Sequence, residues 1–253
     1  MSVPPLSLQQ LKLKCQHCSL KSLCIPVGLP AADIRLLEKI VNSQITIHKG
    51  KALFSQDQAF QGFYTVRSGA FKYVYQTPTS QDQILAFYLP GDFFGLDALH
   101  TEKHPATAIA LQESSVCQVD FDQLLKLSHQ IPSLQRFILN LMSEQTCESL
   151  TMALPNQTAE QRMIGFLLQL SEHSERRGYS SKQFSLPMQN KEIANHLGLA
   201  VETVSRTFTD LAQHNLIDIS QKTVTLLDLE TLRARTRLNQ ASSKKAPPNN
   251  RFS

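Results

Sequence analysis

No run in this sequence comes near the ~18 consecutive apolar residues that a membrane-crossing helix needs. The opening stretch, MSVPPLSLQQLKLKCQHC, has neither the apolar core nor the small-residue cleavage site of a secretory leader, so the expected location is cytoplasmic, with no membrane. Catalytic signatures are missing too. There is no G-x-S-x-G, no phosphate-binding P-loop, no G-x-G-x-x-G and no H-E-x-x-H, which leaves an enzyme without visible machinery. What is present is a chain of 253 residues, 42% hydrophobic and 18% charged, the balance of a globular protein long enough for two domains.

Charge of one sign is scarce, the net being +4, but it is unevenly placed. Residues 1–155 hold 12 Lys and Arg against 12 Asp and Glu, whereas residues 156–253 hold 13 against 9, so the whole excess lies in the C-terminal part. A phosphate-binding domain has this bias. Cysteine is also scarce. Three of the five form Cys15-x2-Cys18-x5-Cys24, and the others are Cys117 and Cys147. In a reducing compartment such a cluster points to metal or redox chemistry more than to disulfides. Three thiolates need a fourth donor, and Cys117, Cys147 and His17 are the candidates. Zinc accepts such a set, although its structural sites favour two C-x2-C knuckles and the second is absent. An iron–sulfur cluster tolerates irregular spacing better. Spacing alone leaves zinc, a cluster and unconnected thiols all open.

Residues 30–43 read as a helix with Asp33 as N-cap and Ile34, Leu37, Ile40 and Val41 as its apolar stripe. From Ile45 to Val119 the pattern changes to short β-branched and aromatic runs, at 45–47, 62–66, 70–75, 84–89 and 115–119. Turn residues such as Ser68-Gly69 and Pro90-Gly91-Asp92 separate them. Many short strands at this spacing predict a barrel, roll or sandwich, with Cys117 on a late strand. Residues 121–154 are helical again, the helix proper starting at Pro132. Along it Leu134, Ile138, Leu141, Gln145, Glu148 and Met152 alternate in steps of four and three, a coiled-coil-like seam. The seam packs either on the chain's own barrel or on a second copy, which would set Glu148 against its counterpart. Leu154-Pro155-Asn156 reads as a hinge, and the polar tail from about Asn239 as disordered.

Beyond the hinge, Met163, Phe166, Leu167 and Leu170 mark another helix, and Gln183–Met188 and Thr223–Leu227 alternate as small strands. Between the strands lies Lys191–Arg206. Ile193, Ala194 and Leu197 form one apolar face, Gly198 ends that helix, and Val201, Val204 and Phe208 predict the buried face of the next. Glu202, Ser205 and Arg206 then stand outward near the N-terminal end of a recognition helix. Arg suits guanine O6 and N7, Glu the cytosine amino group, and Ser either kind of edge. An ordinary helical hairpin is the alternative.

A cysteine-bearing N-terminus, a β-roll, a long helix and a winged helix-turn-helix together resemble the CRP/FNR superfamily of transcription regulators, in its oxygen-sensing FNR branch. The likeness runs from about Cys15 to Leu229. It rests on Cys15-x2-Cys18-x5-Cys24-Ile25-Pro26, Arg67-Ser68-Gly69, Pro90-Gly91-Asp92, the lone Cys117 and Val201-Glu202-Thr203-Val204-Ser205-Arg206. It implies an α+β chain with a cluster-binding segment at 1–29 and a β-roll sensor domain at 30–120. A dimerisation helix at 121–155, a winged helix-turn-helix at 156–238 and a tail at 239–253 follow. It also implies that Cys15, Cys18, Cys24 and Cys117 hold a 4Fe-4S cluster that oxygen converts to 2Fe-2S, with Cys147 a bystander. The seam residues would then form a homodimer that separates on oxidation. Glu202, Thr203, Ser205 and Arg206 would bind double-stranded DNA at palindromic TTGAT-type half-sites, and the loop with Thr79, Ser80 and Asp82 would meet RNA polymerase. One departure concerns the cyclic-nucleotide branch, whose phosphate is held by an Arg-Ser pair. The matching segment here, Gly95–Thr107, contains no arginine, so no cyclic nucleotide is expected.

Overall fold

The computed structural model describes residues 15, 18–24, 29–77, 82–152 and 157–236, with side chains at all of these except 21, 42–44 and 148–152. The expected hinge at 154–156 and tail at 239–253 lie outside the described residues. The chain divides into two compact units, Met1–Met152 and Ala153–Ser253.

In the first unit a single helical turn, α1 (Lys21–Cys24), precedes α2 (Ala31–Ile40). Pro30 caps α2 and Asp33 lies inside its first turn, where a carboxylate favours the helix dipole. Val41, expected on this helix, instead opens strand β1 (Val41–Ile47). The roll continues through β2 (Ala52–Phe54), β3 (Phe63–Ser68), β4 (Phe71–Tyr75), β5 (Gln83–Tyr88), β6 (Phe93–Phe94), β7 (Thr107–Ala110) and β8 (Ser114–Val119). These form two four-stranded antiparallel sheets, ordered β1-β8-β3-β6 and β2-β7-β4-β5.

Strand alternation sorts the side chains of the first sheet into two cores. Tyr64, Val66 and Val116 turn inward and pack with Phe54, Phe71, Tyr73, Phe94 and the small residues Ala106, Ala108 and Ala110 of the facing strands. Phe63 and Val119 turn outward, against Leu37 of α2 and the helices that follow. Those are α3 (Phe121–Ser128), whose N-cap Asp120 accepts from Gln123 N at 2.9 Å, and α4 (Pro132–Met152). Proline at 132 starts α4 and disfavours helical backbone at Ile131, which is why the helical stretch is broken in two. Leu124, Leu127, Leu134 and Ile138 complete the outer core. Burying each such side chain contributes about 1.5–3 kcal/mol.

In the second unit α5 (Ala159–Arg176) begins with a reciprocal capping box between Thr158 and Gln161. Then come β9 (Gln183–Ser185), α6 (Asn190–Leu197), α7 (Val201–Gln213), β10 (Ile217–Ser220), β11 (Thr223–Leu226) and α8 (Leu229–Arg235). The three strands form one antiparallel sheet in the order β10-β11-β9, so the helix pair α6–α7 carries a wing.

Candidate functional site

Two places bring together the residues that the sequence singles out. In the first unit, the Cys18 backbone N–H reaches the Cys15 carbonyl at 3.1 Å, and Cys24 N closes the α1 turn on the Leu20 carbonyl at 3.1 Å. Cys117, on β8, pairs with Ser43 on one side and Thr65 on the other. Its register with Val119 turns it to the outer face of the sheet, toward the N-terminal segment. Cys15, Cys18, Cys24 and Cys117 line one cavity of about 60 Å³, walled by apolar side chains that include Leu20, Leu37, Phe93 and Phe137. One water needs roughly 10–15 Å³ by the same measure, so there is room for several atoms.

The thiols feel one another. Burial pushes Cys15 up to about 11, with Cys117, Glu38 and Cys18 adding to the effect. Cys24 is raised further, by burial first and then by Cys18, Cys117, Cys15 and Asp92. Protonated Cys15 and Cys24 are thus favoured until a cation enters and holds their thiolates. Among the described residues no three His, Cys, Asp or Glu side chains are drawn close enough to hold a metal ion as they stand. None of the four cysteines is in a disulfide. The donor chemistry, four thiols around one apolar cavity, fits a thiolate-ligated iron–sulfur cluster. Cys147 is exposed on α4 and lines no part of the cavity. The other candidate donor, His17, lies outside the described residues.

The second place is the α6–α7 corner. Gly198 ends α6 at φ +63°, and its N–H reaches back to Ala194 and Asn195, as a left-handed helix cap does. Arg162 of α5 donates to the Leu197 carbonyl at 3.1 Å, a cation at a helix C-terminus that the sequence reading missed. On α7 the buried residues are Val204, Thr207, Phe208 and Leu211. Val201, expected inside, is 42% exposed because it stands at the first helical position, beyond the neighbours that cover the next turn. Glu202, Ser205 and Arg206 share the exposed face, while Thr203 is half-buried. Asn190 Nδ2 donates to Ser205 Oγ at 3.3 Å, joining the start of α6 to the outward face of α7. Nothing in the spacing signalled that contact.

The first part of the seam along α4 packs within the chain. Leu134 is 1% exposed, Ile138 is buried beside it, and Leu141 packs on the same core. Gln145 Nε2 donates to the Phe93 carbonyl at 2.9 Å. These four pack on the chain's own roll, because the outer face of the first sheet needs an apolar cover. The side chains of Glu148 and Met152 lie outside those described. A different stripe is open: Leu139 is 66% and Met142 44% exposed. Of the loop residues, Thr79 and Ser80 lie outside the described residues and Asp82 is exposed.

Inside the roll, aromatic rings occupy the interior. Tyr88 stacks on Phe94 at 4.7 Å, Phe54 on Tyr64 at 5.3 Å, and His104 on Phe54 at 3.7 Å between ring centres. Burial pulls His104 down to about 4.

Residues 44–130 match the cyclic nucleotide-binding domain family and residues 161–235 the Crp-like helix-turn-helix domain family. The chain is 40% identical over 221 residues to the transcriptional activator protein FnrA of Stutzerimonas stutzeri, covering 87% of this chain and 91% of that one. It is 41% identical over 216 residues to the transcriptional activator protein anr of Pseudomonas aeruginosa, covering 85% and 88%. The fumarate and nitrate reduction regulatory protein of Yersinia pestis is 36% identical, covering 87% and 89%. Among solved structures, FixK2 from Bradyrhizobium japonicum has the same fold, with a TM-score of 0.69 at 24% identity over 76% of this chain and 96% of that one.

Proposed function

The chain belongs to the CRP/FNR family of transcription regulators, in the branch of the FNR- and Anr-named activators, and from that premise we propose that it is an oxygen-responsive DNA-binding regulator switched by a 4Fe-4S cluster. It is a regulator and not an enzyme. Among the described residues no helix is long and apolar enough to cross a membrane, and the regulator acts on DNA in the cytoplasm. The observation that carries the reading is the convergence of Cys15, Cys18, Cys24 and Cys117, from opposite ends of the first unit, on one apolar cavity.

Cys15, Cys18, Cys24 and Cys117 would hold the cluster, which would supply an oxygen-labile covalent tie among those four points. The chain's own residues do the rest. Leu20 and Leu37 keep the cavity apolar. Cys117 joins the N-terminal segment to β8, a strand whose outer face packs under α4. The exposed Leu139 and Met142 of α4 present the face on which a second copy pairs. Two copies then offer two α7 helices to half-sites about one DNA turn apart. Arg206 reads guanine, Glu202 cytosine, and Ser205, steadied by Asn190, a third base edge of a TTGAT-type half-site, with Thr203 beside them. Thr79, Ser80 and Asp82 meet RNA polymerase. The aromatic filling of the roll and the arginine-free segment Gly95–Thr107 leave a cyclic phosphate without a cation.

Protein purified without oxygen should be brown, contain iron and sulfide, run as a dimer and bind the palindrome. Air should change the visible spectrum and abolish dimerisation and operator binding together. A colourless protein that binds DNA equally before and after air would show a structural, oxygen-indifferent site, such as a zinc site. Arg206→Ala should cost about 1–3 kcal/mol in operator affinity and lose discrimination at one guanine. Equal loss on every operator variant would reassign that residue to the phosphate backbone.

A further inference from the structure

Fourteen of the sixteen residues lining the cysteine cavity are thiols or apolar side chains, and the two exceptions are Thr65 and Arg67. Arg67 is therefore the single charged lining residue. Its place follows from a break in the sheet. β3 and β8 run in register through Thr65↔Cys117 and Val66↔Val116, and then the register shifts so that Ser68, not Arg67, pairs with Ser115. Arg67 is the extra residue of a β-bulge, a device that re-aims a side chain. Ser68 Oγ meets Ser115 Oγ at 2.7 Å, which fixes Ser68 on the face that Ser115 shares with Cys117. Arg67 borders the cavity on that same face. The residue next but one along a paired strand stands about 7–8 Å away, within reach of a long side chain.

Arg67 is half-buried, and among the described residues its guanidinium has no hydrogen bond or ion pair. Besides the other cysteines, the ionisable neighbours that act on Cys15 and Cys24 are acidic, Glu38 and Asp92 respectively. Four thiolates around a metal centre keep a net negative charge, and holding that charge in an apolar cavity is costly without a counter-charge. Resting on the cluster reading above, we propose that Arg67 is the counter-charge of the cysteine cavity, a positioning residue that retains an anionic four-thiolate centre beside Cys117. Nothing passes through Arg67 and it bonds to no metal. It lowers the electrostatic cost of the charge the four cysteines must carry.

The test uses the full-length protein under anaerobic conditions with two probes, Co2+ alone and iron with sulfide. Co2+ reports four-thiolate coordination through its thiolate charge-transfer absorption, whether or not a cluster forms. Arg67→Gln is expected to weaken Co2+ binding and to quicken iron loss to a chelator, each on the order of ten-fold. Arg67→Lys should stay close to the starting protein. Arg67→Met, which keeps an unbranched stem against the apolar wall, is the second neutral variant and should match Arg67→Gln. The metal-free melting temperature should be unchanged in all three. Unchanged Co2+ affinity in both neutral variants overturns the proposal, and so does a loss of affinity that tracks a fall in that melting temperature. A starting protein that binds Co2+ through four thiols yet assembles no iron–sulfur chromophore overturns the cluster reading instead, and Arg67 is then judged on the Co2+ arm alone.

Discussion

A methyl group on Gly91 would stand 2.6 Å from Leu23 Cδ1, and Gly91 adopts φ +101°, a backbone region that only glycine enters cheaply. Leu23 directly precedes Cys24, so the Pro90-Gly91-Asp92 turn is also the seat on which the cysteine-bearing segment rests. Gly91→Ala is expected to cost about 1–3 kcal/mol of unfolding free energy through strain and the displaced leucine. Leu23→Ala should cost less in the Gly91→Ala background than alone, as read by chemical denaturation. Strict additivity of the two would mean that the contact is absent in solution. His104 offers a second test at this scale. It is 1% exposed, and its Nδ1 has no hydrogen-bond partner among the described residues. Its pKa is lowered from 6.5 to about 4, so in that window the unfolded chain takes up a proton that the folded one refuses. Stability should therefore fall as pH drops from 6.5 toward 4. His104→Phe, which keeps a flat ring against Phe54, should flatten that fall and change little at pH 7, as thermal melts across the range would show. An equal slope in both proteins would assign the acid sensitivity to other groups.

At the scale of elements, α4 shows both what patterning reveals and what it hides. Steps of four and three from Leu134 to Met152 describe a helix with an apolar seam, and a helix is present. The same steps do not say which surface covers the seam. Here β3 and β8 turn Phe63 and Val119 outward and need a lid, which Leu134 and Ile138 supply. The second stripe, with Leu139 and Met142, is too sparse to register as a repeat. Ile138→Ala is expected to destabilise the protein by about 2–5 kcal/mol without a specific effect on self-association. Leu139→Glu should leave monomer stability within about 0.5 kcal/mol and weaken association under anaerobic conditions. Denaturation and analytical ultracentrifugation separate the two. If Leu139→Glu associates normally, another surface pairs the copies. Elsewhere the helix-turn-helix was readable because Gly198 marks the cap and Val204 and Phe208 repeat behind it. Strands β2, β6 and β7 were not. Two of them span three residues or fewer, and Thr107–Ala110 is covered along nearly its whole length, so it lacks alternation.

Cys117 lies 93 positions beyond Cys24 (117 less 24), and composition cannot join residues that far apart. The strand pattern placed Cys117 on a late strand, and only the folded sheet shows which face it takes and that this face meets the N-terminal segment. Arg162 and Asn190 were likewise invisible, because each acts on an element other than its own. The charge split was the part of whole-molecule organisation that the sequence displayed, with the basic excess on the side of α7. That separation carries a consequence. If the cysteine site controls DNA binding only by promoting pairing, damage to it should be repaired by mass action. Cys117→Ala should take up no stable iron–sulfur chromophore and fail to bind a palindromic operator at low concentration. It should recover binding as its concentration is raised, in step with dimer formation, and keep unchanged discrimination against an operator altered at the guanine proposed for Arg206. Fluorescence anisotropy over a range of protein concentrations, with sedimentation measured in parallel, reads both quantities. A dimeric Cys117→Ala that still fails to bind would show that the cysteine site acts on α7 by some route other than pairing. Recovery with lost discrimination would show that it also orients the recognition helix.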